Sequence, residues 1–245
     1  VMLPEGTTEE DITHIMGQAA ETAAECNIEI IGGHTEITKA VNRPVIVSTA
    51  VGRGFKGQSA SASEIKPGDA ILMTKTAGIE GTGIIACDYE EELREVLSGE
   101  ELEHAKSLLS KVSVVKDGII AGRIGTHGMH DVTEGGILGA VWEMCSIAGT
   151  GARLDAEAIP ADDVTRRICE HYDINMLRLI SSGSMLIMTE EDKKEEIIRE
   201  LAAQGIPAAQ IGKIVPKEEG LSICEGGKQT QIGPPGPDEL YKIVK

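Results

Sequence analysis

The chain has 245 residues, 40 acids against 23 lysines and arginines, and a formal net charge of −17. That length gives one large domain or two modest ones, and so acidic a surface disfavours nucleic acid and anionic membranes as partners while leaving room for a small phosphorylated ligand with its metal ion. Five cysteines without a CxxC pair and no run of 18 apolar residues argue against a disulfide framework, a zinc ribbon and a membrane span, and a cytoplasmic chain without a secretory signal is expected.

Val1-Met2-Leu3-Pro4 reads as the end of one element, so the chain is expected to begin inside a domain. Thr7 with Glu10, or Thr8 with Asp11, has capping-box spacing, and Ile12, Ile15, Met16, Ala19 and Ala23 then recur at helical intervals. A strand is expected from Asn27 to Gly33 and a second, buried one from Pro44 to Ala50. Gly52-Arg53-Gly54 with Lys56 forms a small cationic spot, either a phosphate contact or a surface loop. The Lys66-Pro67-Gly68-Asp69 turn places a boundary between a first domain, 1–60, and a second, 61–245.

In the second domain, 70–74 reads as a strand and 76–86 as a glycine-rich turn opening a helix, with Lys75 reaching either a phosphate or solvent. Charged helices follow at 90–95 and 99–109. Periodicity leaves 112–123 open between helix and strand. Helices are expected at 133–148 and 162–171, the first capped by Thr133 or Asp131, and Cys145 and Cys169 read as buried thiols. A strand at 184–189, a helix at 191–204 and strands at 152–155, 211–215 and 221–224 complete an α/β or α+β alternation. Pro234 to Pro237 is an extended tail with a turn of helix after it.

Three polar, glycine-rich runs lie at the ends of apolar elements. In 125–136, Gly-Thr-His-Gly-Met-His-Asp-Val-Thr-Glu-Gly-Gly, Asp131 and Glu134 are spaced to hold magnesium on one side of a helix start. Gly135 and Gly136 let a ligand approach, and the helix offers N–H groups to an anion. The alternative is that Asp131 and Thr133 merely cap the helix. His127 and His130 lack the further ligands of a zinc site, so His130 is a phosphate or substrate contact or a structural hydrogen bonder. In 32–36, Gly32 and Gly33 free the backbone, Thr35 and Glu36 can hold a ligand and a metal, and His34 sets the charge offered to substrate; the plain alternative is a turn between strands. In 76–82, Thr76, Gly78 and Gly81 can wrap phosphate through backbone amides, without the Gly-Lys-Ser/Thr of a Walker A loop. No serine or cysteine nucleophile motif is present.

These runs resemble those of the superfamily containing aminoimidazole ribonucleotide (AIR) synthase, selenophosphate synthetase, thiamine-monophosphate kinase and the hydrogenase-maturation protein HypE. Gly32-Gly33-His34-Thr35-Glu36 resembles the family's Gly-Gly-x-Thr loop. Gly68-Asp69 with Thr76–Thr82 resembles the opening of its second domain, and His130-Asp131-Val132-Thr133-Glu134-Gly135-Gly136 resembles the His-Asp-x-Thr-x-Gly-Gly run of the HypE-like branch. The resemblance implies a truncated AIR-synthase-type N-terminal domain that dimerises with its twin, followed by an AIR-synthase-type C-terminal α/β domain. It further implies ATP and Mg2+, with Gly32, Gly33, Thr35, Thr76, Gly78, Gly81, Thr133, Gly135 and Gly136 at the cofactor, and Glu36, Asp131 and Glu134 at the metal. Asp131, His130 and His34 then serve catalysis, by phosphoryl transfer to an oxygen or sulfur of a small acceptor. HypE proteins end in a functional cysteine, whereas this chain's last cysteine is Cys224. The rival expectation is therefore a non-catalytic scaffold for a protein partner.

Overall fold

A computed structural model describes residues 1–53 and 61–244, which fall into two units, Val1–Gly54 and Phe55–Lys245. Gly54 and Lys56 of the cationic spot lie outside the described residues.

In the first unit, the parallel pair β1 (Met2–Leu3) and β2 (Glu36–Ile37) accompanies helix α1 (Glu9–Glu25). Of the two capping-box spacings, the one realised is Thr8 with Asp11, each side chain bonding the other's backbone N–H. Neither strand expected at 27–33 and 44–50 forms; only an isolated bridge joins Val45 to Met2. A strand needs a neighbour to take its backbone groups, and these segments have no ladder among the described residues. Their apolar side chains stay in the open, Ile31 at 87% and Val47 at 77% exposure.

The second unit is built on a seven-stranded sheet. Its strands are β3 (Ala70–Thr74), β4 (Gly128–Asp131), β5 (Gly151–Asp155), β6 (Met185–Thr189), β7 (Ala208–Val215), β8 (Leu221–Glu225) and β9 (Lys228–Gln231), in the order β4-β6-β3-β7-β5-β8-β9. All pairings are antiparallel except β5 with β8. The unit is therefore α+β, the second of the two readings of the alternation. The helices are α2 (Ile79–Asp88), α3 (Glu90–Leu93), α4 (Gly99–Ser107), α5 (Val115–Ile124), α6 (Gly136–Ala148), α7 (Asp163–His171) and α8 (Lys194–Ala203).

Every residue of β3 and of β6 is buried, which explains their unbroken apolar sequences. Successive side chains alternate between faces. Ile71, Met73, Leu186 and Met188 join α6 in one core, and Ala70, Leu72, Met185 and Ile187 join α5 and α8 in another. Each fully buried aliphatic side chain contributes about 1.5–3 kcal/mol relative to exposure. A third core, of α2, α4 and α7, includes Cys169, while Cys145 faces the first core from α6; both thiols are buried as expected.

The segment 112–123, undecided by periodicity, is helical as α5. The run at 125–136 departs from expectation: its middle is strand β4, and α6 begins only at Gly136. The cap of α6 is Gly135, at φ +81°, not Thr133 or Asp131. Asp131 and Glu134 thus flank a strand-to-helix turn instead of sharing a helical face.

Candidate active site

Strand register gathers two of the three glycine-rich runs at one end of the sheet. Asp131 pairs with Met185, and Met73 with Leu186, so the end of β4, the start of β6 and the end of β3 lie side by side. The turn 76–78 leaves β3 there, the turn 181–184 enters β6, and the turn 132–135 leaves β4. The third run, 32–36, belongs to the first unit. Within that unit Gly32, Gly33, His34, Thr35 and Glu36 are all exposed, with His34 Nε2 3.9 Å from a Glu36 carboxylate oxygen.

The segment Asn175–Ser184 organises the cluster in the second unit. Ser184 Oγ donates to the Thr76 carbonyl (2.6 Å), and Ser181 Oγ accepts the Ile79 N–H (3.3 Å). The Gly81 N–H donates to the Ile180 carbonyl (3.0 Å). A Cβ at Gly81 would lie 2.5 Å from Leu179, and one at Gly136, where φ is +60°, would lie 2.6 Å from the Leu177 carbonyl. Gly81 and Gly136 are therefore required by close approach of the chain to itself. Gly78, the N-cap of α2 at φ +70°, faces Thr165 and Leu179 in the same way.

Lys75 is turned into the chain and not into open solvent. It is itself in the left-handed region, at φ +55°, and its Nζ donates to Asp117 (2.8 Å), the Gly183 carbonyl (2.6 Å) and the Ser113 carbonyl (3.2 Å). Asp117 is only 2% exposed at its side chain, so this buried ion pair fastens α5 and the 183 turn to the end of β3.

Around β4 the two histidines part company. His127 Nδ1 pairs with the buried Asp69 (2.8 Å) at the opposite end of the sheet. His130 Nε2 lies 3.1 Å from Glu143 of α6, and its Nδ1 bonds the Asp131 carbonyl. His130 and Asp131 occupy successive positions of β4, and the Asp131 carboxylate is 55% exposed. No group of three or more His, Cys, Asp or Glu that could hold a metal exists among the described residues.

Past the turn, the N–H groups that the sequence offered to an anion are already engaged. The Gly135 N–H donates to Asp238 Oδ2 (2.7 Å) and the Gly136 N–H to the Thr133 carbonyl (3.1 Å). Asp238, 3% exposed, also accepts the Ile180 N–H (3.2 Å) and the Leu240 N–H (2.9 Å). Tyr241 donates its hydroxyl to Glu134 Oε1 (2.7 Å), and this carboxylate acceptor holds the phenol above its ordinary value. A cavity of about 500 Å³ lies here, lined by Arg178, Pro234, Pro237, Tyr241 and neighbouring residues. Asp238, Tyr241 and the 175–184 segment escaped sequence reasoning. Asp238 reads only as the start of a short turn of helix, because its partners are remote in sequence.

The site thus offers exposed or half-engaged carboxylates, Asp131 and Glu134, beside a rigid nest of turns. Oxygen donors of this kind suit a hard cation that keeps waters and phosphate oxygens for its remaining positions, as magnesium does.

The fold and this end of the sheet define an α+β domain of the AIR-synthase type. The family model for AIR synthase related protein, C-terminal domain, matches residues 66–224, and the chain belongs to that family. Among relatives, it is 25% identical over 229 residues to a protein of Methanocaldococcus jannaschii named for hydrogenase expression and formation, covering 91% of this chain and 65% of that one. It is 26% identical over 221 residues to carbamoyl dehydratase HypE of Escherichia coli, covering 89% of this chain and 63% of that one. The chain thus spans less than two thirds of these relatives' length. Among solved structures, E. coli HypE superposes with a TM-score of 0.79 at 24% identity, over 99% of this chain and 74% of that one. A HypE determined with ATP gives 0.71 at 18% identity, over 99% and 73%, and a HypE–HypF complex gives 0.72 at 20%, over 96% and 75%. No helix of the described residues is long and apolar enough to cross a membrane.

Proposed function

We propose that the chain serves an ATP-dependent phosphoryl transfer of the synthetase or kinase type, which activates an oxygen or sulfur atom of a small acceptor. The observation that carries this reading is the register of β4, β6 and β3. It sets the Asp131–Glu134 turn beside the Thr76–Gly81 turn at one end of the sheet, in a member of the AIR-synthase family. Bound Mg-ATP supplies the phosphoryl group that passes to the acceptor, with ADP leaving. Asp131 and Glu134 would hold the metal. His130, fixed by Glu143, would contact phosphate or acceptor, with Thr133 and Thr76 bounding the ligand. On the first unit, taken by itself, Glu36 is a candidate metal ligand, His34 a candidate for tuning the charge offered to an acceptor, and Thr35, Gly32 and Gly33 candidate ligand contacts. Gly78, Gly81, Gly135 and Gly136 serve by letting the backbone pack closely enough to build the turns. Catalysis of this kind rests on placement and charge neutralisation. In the same reading the first unit corresponds to the later part of a family N-terminal domain, and two copies associate through it.

Calorimetric titration with Mg-ATP, followed by ADP release across carbamoyl, selenide and amidine acceptors, tests the proposal. Saturable, magnesium-dependent binding that Asp131→Asn weakens supports it. The absence of binding favours the second reading, a non-catalytic scaffold for a protein partner. Internal engagement of the Gly81, Gly135 and Gly136 amides favours that reading too, since it withholds them from phosphate.

A further inference from the structure

Building on the reading of Asp131–Gly136 as a magnesium-nucleotide site, we propose that Asp238 and Tyr241 are positioning residues: the strap 234–242 sets the direction of the Glu134 carboxylate and the path of Gly135. Three independent features of the strap carry this. First, a carboxylate serving only its own turn would bond the Leu240 N–H alone. Asp238 also takes the N–H of Gly135, 103 positions away, and that of Ile180, 58 away. One buried side chain therefore ties together the turn after β4, the segment before β6, and the strap. Second, Glu134 is exposed, and the Tyr241 hydroxyl fixes its Oε1 and leaves Oε2 open to a ligand. Outer partners of this kind orient a ligating carboxylate and set its affinity for metal. Third, a Cβ at Gly135 would lie 3.3 Å from Pro235, so the strap is seated directly on the turn. Packing does not require the Tyr241 hydroxyl, because that residue is 57% exposed.

Tyr241→Phe is the cleanest test, because it removes one oxygen from a solvent-facing ring. The magnesium concentration needed for half-maximal ATP binding should rise about tenfold, with the thermal midpoint unchanged. A magnesium dependence superimposable on the unsubstituted protein would overturn the proposal. A second readout needs no nucleotide. The Tyr241 hydroxyl donates to Glu134 Oε1, and a crystal structure of the unsubstituted protein should show that contact; a Tyr241 ring turned away from Glu134 would sink the pairing. If the unsubstituted protein binds no Mg-ATP, the phosphoryl-transfer reading fails and the strap is judged on amide exchange. Asp238→Asn should then speed exchange at Gly135 while the later amides of α6 stay protected. Unchanged protection at Gly135 would refute the strap even then.

Discussion

Lys75 shows how much one side chain can hold in place. Its ammonium is the only cation shown bonded to Asp117 among the described residues, and it also supports the Gly183 and Ser113 carbonyls. Breaking a buried pair leaves an uncompensated charge and costs about 3–5 kcal/mol. Lys75→Met should lower the urea unfolding free energy by about that amount, and adding Asp117→Asn should recover much of it. A second residue-scale expectation concerns pH. Burial, with Glu92 as hydrogen-bond acceptor, pushes the Tyr172 phenol from 10.0 up to about 12. The folded chain then keeps a proton that the unfolded chain releases, so this stabilisation is complete below pH 10 and is lost as pH rises through about 12. Unfolding midpoints followed across that window should fall, and Tyr172→Phe should flatten the decline. The residue types at the site were legible in the sequence, since acids, histidines and glycines stand out in an aliphatic chain. Their partners were not. Lys75 meets Asp117 across 42 positions, and no local pattern announces such a pair.

At the scale of elements, legibility followed burial. The runs at 70–74 and 185–189 announced themselves because both faces of β3 and β6 are covered. Strand β4 stayed hidden because Gly-Met-His-Asp carries one large apolar residue and forms through its ladder with β6. The glycines misled for a related reason. Loops that cradle phosphate and chains that cross closely both need residues without a Cβ, and the sequence alone does not separate the two uses. Gly136→Ala distinguishes them by its effect on the fold. The left-handed φ alone costs about 1–3 kcal/mol, and the new Cβ would also strike the Leu177 carbonyl at 2.6 Å. We expect a loss of stability at least that large by thermal unfolding, present with or without nucleotide.

At the scale of the whole molecule, the two units differ in how they use apolar residues. The second buries its aliphatic side chains in three cores. The first leaves Ile28, Ile30, Ile31, Val47 and Val51 in the open. If two copies associate there, sedimentation should show concentration-dependent self-association, and a combined Ile31→Asp and Val47→Asp change should abolish it; an unchanged sedimentation profile would remove that face from consideration. The bond from Gly135 to Asp238 has a further bearing, on how the molecule is made. A ribosome releases the β4–α6 turn about a hundred residues before the side chain that will fix it. The central strand β3 waits longer still, since its neighbours begin at Met185 and Ala208. The helices of the α2–α4 region can form early from local contacts, whereas the β3–β4 end of the sheet closes only after residues 185–238 have emerged. The turn after β4 is therefore fixed long after its own residues are made.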